Sequence, residues 1–238
     1  MKEKKNTQLI VALDTNSGET AEDIVKDLKG MVKYFKVGSQ LFTACGPKVV
    51  DMIHKHKARV FLDLKFHDIP HTVAQAARNA LRLGVFMFNV HAMGGAAMLE
   101  ELIATINKEI ESADLEKPLI LGVTVLTSMD RSQLNSVGVM RSVKNEVIHL
   151  ARICQRSGLD GVVCSGKEIK LLRRVMGNEF ILVVPGIRPS TSPVNDQKRI
   201  VMPQQAANWG ADYIVVGRPI TAAGSPQDAA EKILKELE

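Results

Sequence analysis

The stretch FLDLKFHDIPHTV, residues 61–73, starts like a buried strand and then places several charged residues close together. Asp63, Lys65 and Asp68 fall within six positions. A strand that is buried on both faces is ordinarily a continuous apolar run, because an unpaired buried charge costs several kcal/mol. Side chains alternate along a strand, so Asp63 and Lys65 share one face. An isolated D-x-K pattern favours a simple ion pair at a strand end, so the rest of the chain must decide whether these charges form a site.

Further short apolar runs, rich in β-branched residues and bounded by turn residues, occur along the chain. They predict strands at 8–14, 34–38, 59–65, 85–92, 118–126, 161–165, 180–187 and 213–217. Apolar residues recur at helical spacing between them, most clearly in 20–31, 70–84 and 143–158. Alternating strands and helices predict the α/β class and a parallel (β/α)8 TIM barrel, as a single domain over residues 1–238. A doubly wound open sheet is the alternative, but it usually has fewer strands, and the sequence has no G-x-G-x-x-G or Walker loop.

The composition excludes several classes of partner. The 238 residues suit one barrel, and 45% hydrophobic with 24% charged residues is typical of a soluble globular protein. The longest apolar runs are shorter than the roughly 20 residues that span a bilayer, so no membrane partner is expected. A net charge of +5 suits an anionic ligand, but aromatic residues are only 4% and no basic cluster is interleaved with them, which argues against nucleic acid. Cys45, Cys154 and Cys164 lack C-x-x-C spacing, which fits a reducing cytoplasm.

Polar residues follow several of the predicted strands at their C-terminal ends, where barrels of this kind carry their active sites. The strand-end candidates are Asp14, Lys36, Asp63, Lys65, Thr127, Ser128, Arg188 and Arg218. One ion pair explains Asp63 with Lys65, but it does not explain charges of alternating sign at several strand ends. The pattern therefore predicts a functional site at the mouth of the barrel.

The loops after the last two strands favour a phosphate site, which many barrels have at this place. Gly217 lets the backbone approach a ligand closely, and Arg218 offers a guanidinium fork. A Ser/Pro-rich loop after strand 7 carries Arg188 and Gln197 and is long enough to close over a ligand. A lone Gly-Arg is usually a surface turn, but its place after strand 8 favours anion binding.

The histidines raise the question of a metal site. His67 and His71 are four residues apart, which on a helix would place both rings on one face. That helix would have to start before Pro70, and strands 2 and 7 end without His, Asp or Glu. We therefore predict no metal, and interpret His91 as a polar residue beneath the site.

Five motifs occur in an order that is typical of one family: Lys36, DLKFHDIPHT at 63–72, LTS at 126–128, PGIR at 185–188 and VGR at 216–218. With them, the sequence resembles the orotidine 5′-monophosphate decarboxylases over nearly its whole length. Related barrels that act on sugar phosphates share the D-x-K-x-x-D core, whereas the other motifs favour the decarboxylase. The family's usual Asn between Pro and Thr is replaced by His71, which affects a loop contact and leaves the charged residues unchanged.

The resemblance implies removal of CO2 from orotidine 5′-monophosphate without a cofactor, giving UMP in de novo pyrimidine biosynthesis. It implies a catalytic array of Lys65, Asp63, Lys36 and Asp68. It implies further substrate contacts from Asp14, Lys36 and Thr72 at the ribose, Thr127 and Ser128 at the pyrimidine, and Arg188, Gln197, Gly217 and Arg218 at the phosphate. It also implies a two-fold homodimer in which Asp68 and Thr72 complete the partner's site.

Two other functions remain open from the residues. A metal-dependent decarboxylase or epimerase of sugar phosphates, from the same barrel superfamily, would lose its activity with a chelator. A catalytically silent barrel that only binds a nucleotide or a protein would need a missing catalytic charge, and none is missing from the sequence.

Overall fold

The computed structural model describes residues 6–189 and 201–237. Eight parallel strands within these ranges pair in chain order, and β1 also pairs with β8, which closes a barrel. The strands are β1 Gln8–Ala12, β2 Tyr34–Gly38, β3 Arg59–Phe66, β4 Met87–His91, β5 Leu119–Val123, β6 Gly161–Val163, β7 Ile181–Val184 and β8 Tyr213–Val216. The predicted TIM barrel is confirmed, and the open sheet is excluded because the two edges of an open sheet would not pair.

Helices alternate with the strands around the outside of the barrel. In the two described ranges they are α1 Gly18–Asp27, α2 Ser39–Cys45, α3 Lys48–Lys55, α4 Pro70–Arg82, α5 Gly95–Ala113, α6 Arg131–Ser136, α7 Val143–Arg156, α8 Ile169–Met176, α9 Pro203–Trp209, α10 Arg218–Thr221 and α11 Pro226–Lys235. Gly84 and Gly210 follow helices with φ of 68° and 98°, a left-handed conformation that favours glycine. None of these helices is long and apolar enough to cross a membrane.

The strands separate two apolar layers. Their outward side chains pack against the helices in a large cluster that includes Phe35, Leu62 and Phe88. A smaller cluster fills the barrel interior with Ile10, Ala12, Tyr34, Phe61, Met87, Leu121, Val183 and Val215. Because side chains alternate along a strand, the inward positions that come after this interior layer lie at the C-terminal mouth. The interior layer is therefore the apolar floor of the site.

One arginine ties the opposite end of the barrel together. Arg173, on α8, donates from Nε to the Gly210 carbonyl at 2.7 Å and from Nη1 to the Phe180 carbonyl at 2.6 Å. Its Nη2 pairs with the Asp212 carboxylate, which also accepts the Leu182 backbone N–H at 2.7 Å. The guanidinium thus joins α8 to the starts of β7 and β8, the two strands whose C-terminal ends carry the predicted phosphate residues.

We expect Arg173→Ala to lower the free energy of unfolding by about 3 kcal/mol, because it leaves the Asp212 charge and two carbonyls without their cation. The neighbouring Arg174 is exposed, so Arg174→Ala should cost less than about 0.5 kcal/mol. Urea unfolding of both variants measures the difference. Equal losses in the two variants would show that the guanidinium contacts do not support the barrel.

Candidate active site

A cavity of about 170 Å³ opens at the C-terminal mouth of the barrel. Lys36, Asp63 and Lys65 line one side of it. The remaining lining residues are mostly apolar: Phe61, Val123, Val125, Leu126, Thr127, Val163, Cys164, Pro185 and Val215. A small cavity with charges on one wall and apolar side chains on the others can hold a planar polar ring and exclude water from the charged groups.

The charges on that wall alternate in sign and contact one another directly. Lys36 Nζ lies 3.0 Å from Asp14 Oδ1 and 3.2 Å from Asp63 Oδ2. Lys65 Nζ lies 2.7 Å from Asp63 Oδ1. The structure therefore brings four of the predicted residues into one chain of ion pairs, Asp14–Lys36–Asp63–Lys65, which we call the charged array. Asp63 and Lys36 are its buried members, while Asp14 is half exposed.

Burial and pairing act in opposite directions on the two inner charges. Burial raises the pKa of Asp63, but the Lys36 and Lys65 ammonium groups and the hydrogen bonds from Lys65 and Asn89 outweigh it, so the pKa lies below its ordinary value of 3.8. Burial lowers the pKa of Lys36, but the Asp63 and Asp14 carboxylates outweigh it, and the pKa lies above 10.5. Both groups are therefore charged at neutral pH.

A bulge in β3 directs Lys65 into the site. Leu62 pairs with Phe88 and Phe66 pairs with Val90. Between these two pairs β3 advances four residues while β4 advances only two. Lys65, within the bulge, has a φ of 53°, which is uncommon for a side chain of its kind. The alternation rule correctly placed Asp63 and Lys65 on the same side, but it did not foresee the bulge.

Asn89 is a site residue that the sequence analysis missed. It is fully buried on β4, donates from Nδ2 to Asp63 Oδ1 at 2.6 Å, and accepts the Lys65 backbone N–H on Oδ1 at 2.8 Å. The available signal was an asparagine inside the apolar run VFMFNVHA, since a buried amide must find hydrogen-bond partners.

Two glycines make room for the charged array. A Cβ on Gly38 would lie 3.0 Å from Lys36 Nζ, and a Cβ on Gly217 would lie 3.4 Å from Asp14 Oδ2. A side chain at Gly38 would therefore press against the Lys36 ammonium, which would have to shift by a few tenths of an ångström. Gly217 also places the loop after β8 directly against the exposed end of the array.

The other predicted residues lie around this centre. Thr127 lines the cavity, and the adjacent Ser128 is exposed. Asp68 and Thr72 are exposed in the loop after β3 and in the first turn of α4. The Asp68 carboxylate accepts the backbone N–H of Ile69 at 2.7 Å, so within one chain it caps its own loop instead of pairing with a lysine of the array.

The predicted phosphate residues follow two adjacent strands. Arg188 comes after β7, is buried, and pairs its backbone N–H with the Val201 carbonyl at 3.1 Å. Gly217 and Arg218 follow β8, where Gly217 precedes the short helix α10. Because β7 and β8 pair in parallel, these residues share one sector of the mouth. Gln197 lies outside the described residues.

The histidines do not share a helix face. α4 begins at Pro70, so His67 precedes it, and His71 lies 3.5 Å from Glu101 across the helix pair α4–α5. His67 instead stacks near His91, with ring centroids 5.4 Å apart. Burial, followed by the charges of His67 and Lys65, holds the pKa of His91 below its usual range, so this imidazole is neutral at pH 7. Within the described ranges, no three His, Cys, Asp or Glu side chains are grouped as metal ligands.

The fold and the site define a class. A closed parallel barrel with a buried array of lysines and aspartates at its mouth, and arginines after its last two strands, is a TIM-barrel enzyme for a small anionic substrate. The chain belongs to the Orotidine 5'-phosphate decarboxylase / HUMPS family, whose family model matches residues 7–233.

Individual relatives agree with this family. A protein of Syntrophotalea carbinolica named orotidine 5'-phosphate decarboxylase is 51% identical over 230 residues, covering 97% of this chain and 94% of the relative. One from Syntrophomonas wolfei with the same name is 49% identical over 97% and 98% of the two chains. The crystal structure of orotidine 5'-phosphate decarboxylase from Lactobacillus acidophilus has a TM-score of 0.85 at 36% identity, covering 98% of this chain and 100% of that chain.

The depressed pKa of Asp63 predicts a pH-dependent contribution to stability. A carboxylate of lowered pKa stabilises the folded state above its unfolded pKa, and this contribution is lost as pH falls through the folded pKa. Asp63→Asn should therefore lower the free energy of unfolding by about 3 kcal/mol at pH 7, because Lys36 and Lys65 lose their shared partner. The gap between wild type and variant should narrow as the pH falls below 3.8.

Urea unfolding of both proteins over a pH series measures this gap. The matched control is Asp27→Asn at an exposed position of α1, which should cost less than about 0.5 kcal/mol at every pH. A gap at Asp63 that is independent of pH would contradict the assignment of a charged, paired carboxylate.

Proposed function

We propose that this protein converts orotidine 5′-monophosphate to UMP and CO2 in de novo pyrimidine biosynthesis, without a metal or an organic cofactor. Membership of the family and the shared name of the curated relatives support the reaction. The single observation that carries the proposal is the buried charged array, because it places a fixed ammonium group, Lys65, in a small cavity next to a carboxylate.

The reaction leaves an electron pair on C6 of the pyrimidine ring when the bond to the carboxylate breaks. The ring carbonyls cannot readily delocalise this pair, so a positive charge must stabilise it. Lys65 supplies that charge, and it acts more strongly than in water because it is already held beside Asp63 in a largely apolar cavity. The C6 electron pair then takes a proton from the Lys65 ammonium, which leaves neutral lysine, UMP and CO2.

Asp63 and Lys36 belong to the proposed catalytic group, which Asp68 completes from the partner chain. The Asp63 carboxylate lies against the departing carboxylate of the substrate, and their repulsion is relieved as CO2 leaves. Lys36 neutralises the second Asp63 oxygen at 3.2 Å and so keeps Asp63 charged in its buried position. These roles follow from the alternation of charges in the array.

The rest of the nucleotide extends from the cavity towards the loops. Asp14, Lys36 and Thr72 are proposed to contact the ribose, and Thr127 with Ser128 the pyrimidine. Arg188, Gly217 and Arg218 take the phosphate, together with Gln197. The close approach of Gly217 to Asp14 supports this order, because it makes the ribose end and the phosphate end of the site adjacent.

The competing function is a metal-dependent decarboxylase or epimerase of sugar phosphates. The relatives that carry the decarboxylase name do not favour it. The test is loss of the orotate-ring absorbance when purified protein meets orotidine 5′-monophosphate in the presence of EDTA. We expect the same rate with and without the chelator. A protein that EDTA inactivates, or that leaves this nucleotide unchanged, would refute the proposal.

Lys65→Ala should lower kcat at least about 100-fold, because the developing negative charge loses its ammonium. Its affinity for UMP should stay within about threefold of wild type, since the phosphate residues lie in another sector of the mouth. Lys29→Ala, an exposed lysine after α1, is the matched control and should leave both quantities unchanged. UMP affinity that falls as steeply as kcat would contradict this division of roles.

The proposed enzyme is a cytoplasmic, single-domain homodimer with sites shared between the two chains. The exposed Asp68 supports the sharing, since its carboxylate bonds within its own loop and not to a lysine of its own array. Ile69 beside it is 66% exposed, which leaves this loop accessible to a second chain. The free thiols of Cys45, Cys154 and Cys164 support a reducing compartment.

Hybrid dimers test the sharing directly. Lys65→Ala and Asp68→Ala homodimers should each be nearly inactive, because every site lacks one charge. When the two variants are unfolded and refolded together, random pairing makes about half of the dimers hybrid, and each hybrid has one intact site. Activity should return to about a quarter of the wild-type level.

Each variant refolded alone is the control, and a tag on one variant verifies that hybrids form. Verified hybrids as inactive as their parents would show that Asp68 does not serve the neighbouring chain.

A further inference from the structure

Asn89 forms hydrogen bonds with both Asp63 and Lys65. Among the described residues, no other uncharged side chain is seen to bond to both. It lies two residues after Met87, which belongs to the floor of the site, so its side chain also faces the barrel interior. It is completely buried, directly beneath the charged array. A primary amide at this depth is costly unless both of its ends are hydrogen-bonded, and here both are.

The two groups that bond to Asn89 need opposite hydrogen-bond partners, one a donor and the other an acceptor. Asp63 is ionised and can only accept a hydrogen bond, whereas the Lys65 backbone N–H can only donate one. A carboxamide supplies a donor and an acceptor a short distance apart, and only one orientation of the Asn89 amide satisfies both neighbours. Asp63 Oδ1 thus receives two donors, Lys65 Nζ at 2.7 Å and Asn89 Nδ2 at 2.6 Å, which fixes the carboxylate plane.

The second bond acts on the backbone of Lys65. This residue occupies the left-handed region at φ 53°, which costs about 1–2 kcal/mol for a residue with a Cβ. The ladder between β3 and β4 is interrupted there, and the Lys65 N–H bonds to the Asn89 side chain instead. Without that acceptor, nothing described in the structure holds this N–H, and the backbone is free to relax towards an ordinary conformation.

We propose that Asn89 is a positioning residue of the reaction, whose amide holds the Asp63 carboxylate and the strained Lys65 backbone together and so sets where the Lys65 ammonium lies. The proposal rests on the proposed decarboxylase function for its effect on rate. Asn89 touches neither the ring nor the phosphate in this arrangement, and its action passes through the two catalytic residues.

Asn89→Ala should lower kcat about 100-fold, the loss expected when a catalytic group moves by about 1 Å. The UMP dissociation constant should change less than about threefold, because the phosphate residues follow β7 and β8. The matched control is Thr7→Val, which removes the buried hydrogen bond from Thr7 Oγ1 to the Ala211 carbonyl before β1. Thr7→Val should lower the free energy of unfolding by about as much as Asn89→Ala does. Its kcat should stay within about twofold of wild type when the variant and wild type are assayed well below their Tm.

Asn89→Asp gives a readout that a purely structural role would not affect. It keeps the shape and the acceptor for the Lys65 N–H, but it places a second carboxylate against Asp63. Two neighbouring carboxylates repel each other, so one of them takes up a proton with a raised pKa. Once the pair is protonated, the proton between the carboxylates replaces the hydrogen bond that the Asn89 amide donated to Asp63. The kcat of this variant should therefore rise relative to wild type as the pH is lowered from 8 to about 5.

Crystal structures of the two Asn89 variants test the proposal independently of any activity. In Asn89→Ala, which removes the acceptor, we expect Lys65 to leave the left-handed region and its Nζ to move by about 1 Å or more. Asn89→Asp keeps this acceptor, so the Lys65 backbone of that variant should stay in the left-handed region. Unmoved Asp63 and Lys65 in Asn89→Ala, or a kcat within about threefold of wild type, would overturn it. If wild type fails to decarboxylate the nucleotide, the proposed function falls, and the crystal structures alone then decide whether Asn89 positions the array.

Discussion

The Asp63 carboxylate, buried beneath the barrel mouth between two ammonium groups, is the constraint on which the rest of the site depends. An unpaired carboxylate at this depth would take up a proton or become exposed to solvent, because desolvation disfavours the ionised form. Lys36 and Lys65 keep it ionised, and Asp14 in turn balances Lys36. Each charge is thus held by the next, and the buried array is stable only as a whole.

The barrel makes such an array possible because its interior is already filled below the mouth. The layer of Tyr34, Phe61, Met87 and their neighbours is a packed apolar floor, so the buried Asp63 and Lys36 above it are stabilised mainly by their charged partners in the array. Parallel pairing of β1 with β2 and of β2 with β3 brings the ends of these strands side by side, which is why residues far apart in the chain form one row.

Much of this arrangement follows from sequence pattern alone. All eight strands follow from short apolar runs bounded by turn residues, and the common face of Asp63 and Lys65 follows from the alternation of side chains along a strand. The bulge in β3 does not, because inserted residues change the backbone path without changing the alternation of residue types. Asn89 was missed for a related reason: one amide in an apolar run is visible, but its partners are on another strand. Asp68 shows a third limit, since the pattern of one chain does not reveal which chain completes the site.

The two ends of the barrel use paired charges differently. At the mouth, Asn89 restrains Lys65 in an unfavourable backbone conformation, and the pairing of Asp63 and Lys36 offsets the desolvation of these two charges. At the opposite end of the barrel, Arg173 ties α8 to β7 and β8 through two carbonyls and the Asp212 carboxylate. Stability and chemistry are therefore divided between the two faces. The N-terminal end pairs its charges in a closed network, whereas the C-terminal end keeps an open cavity beside Lys65, as the proposed function requires.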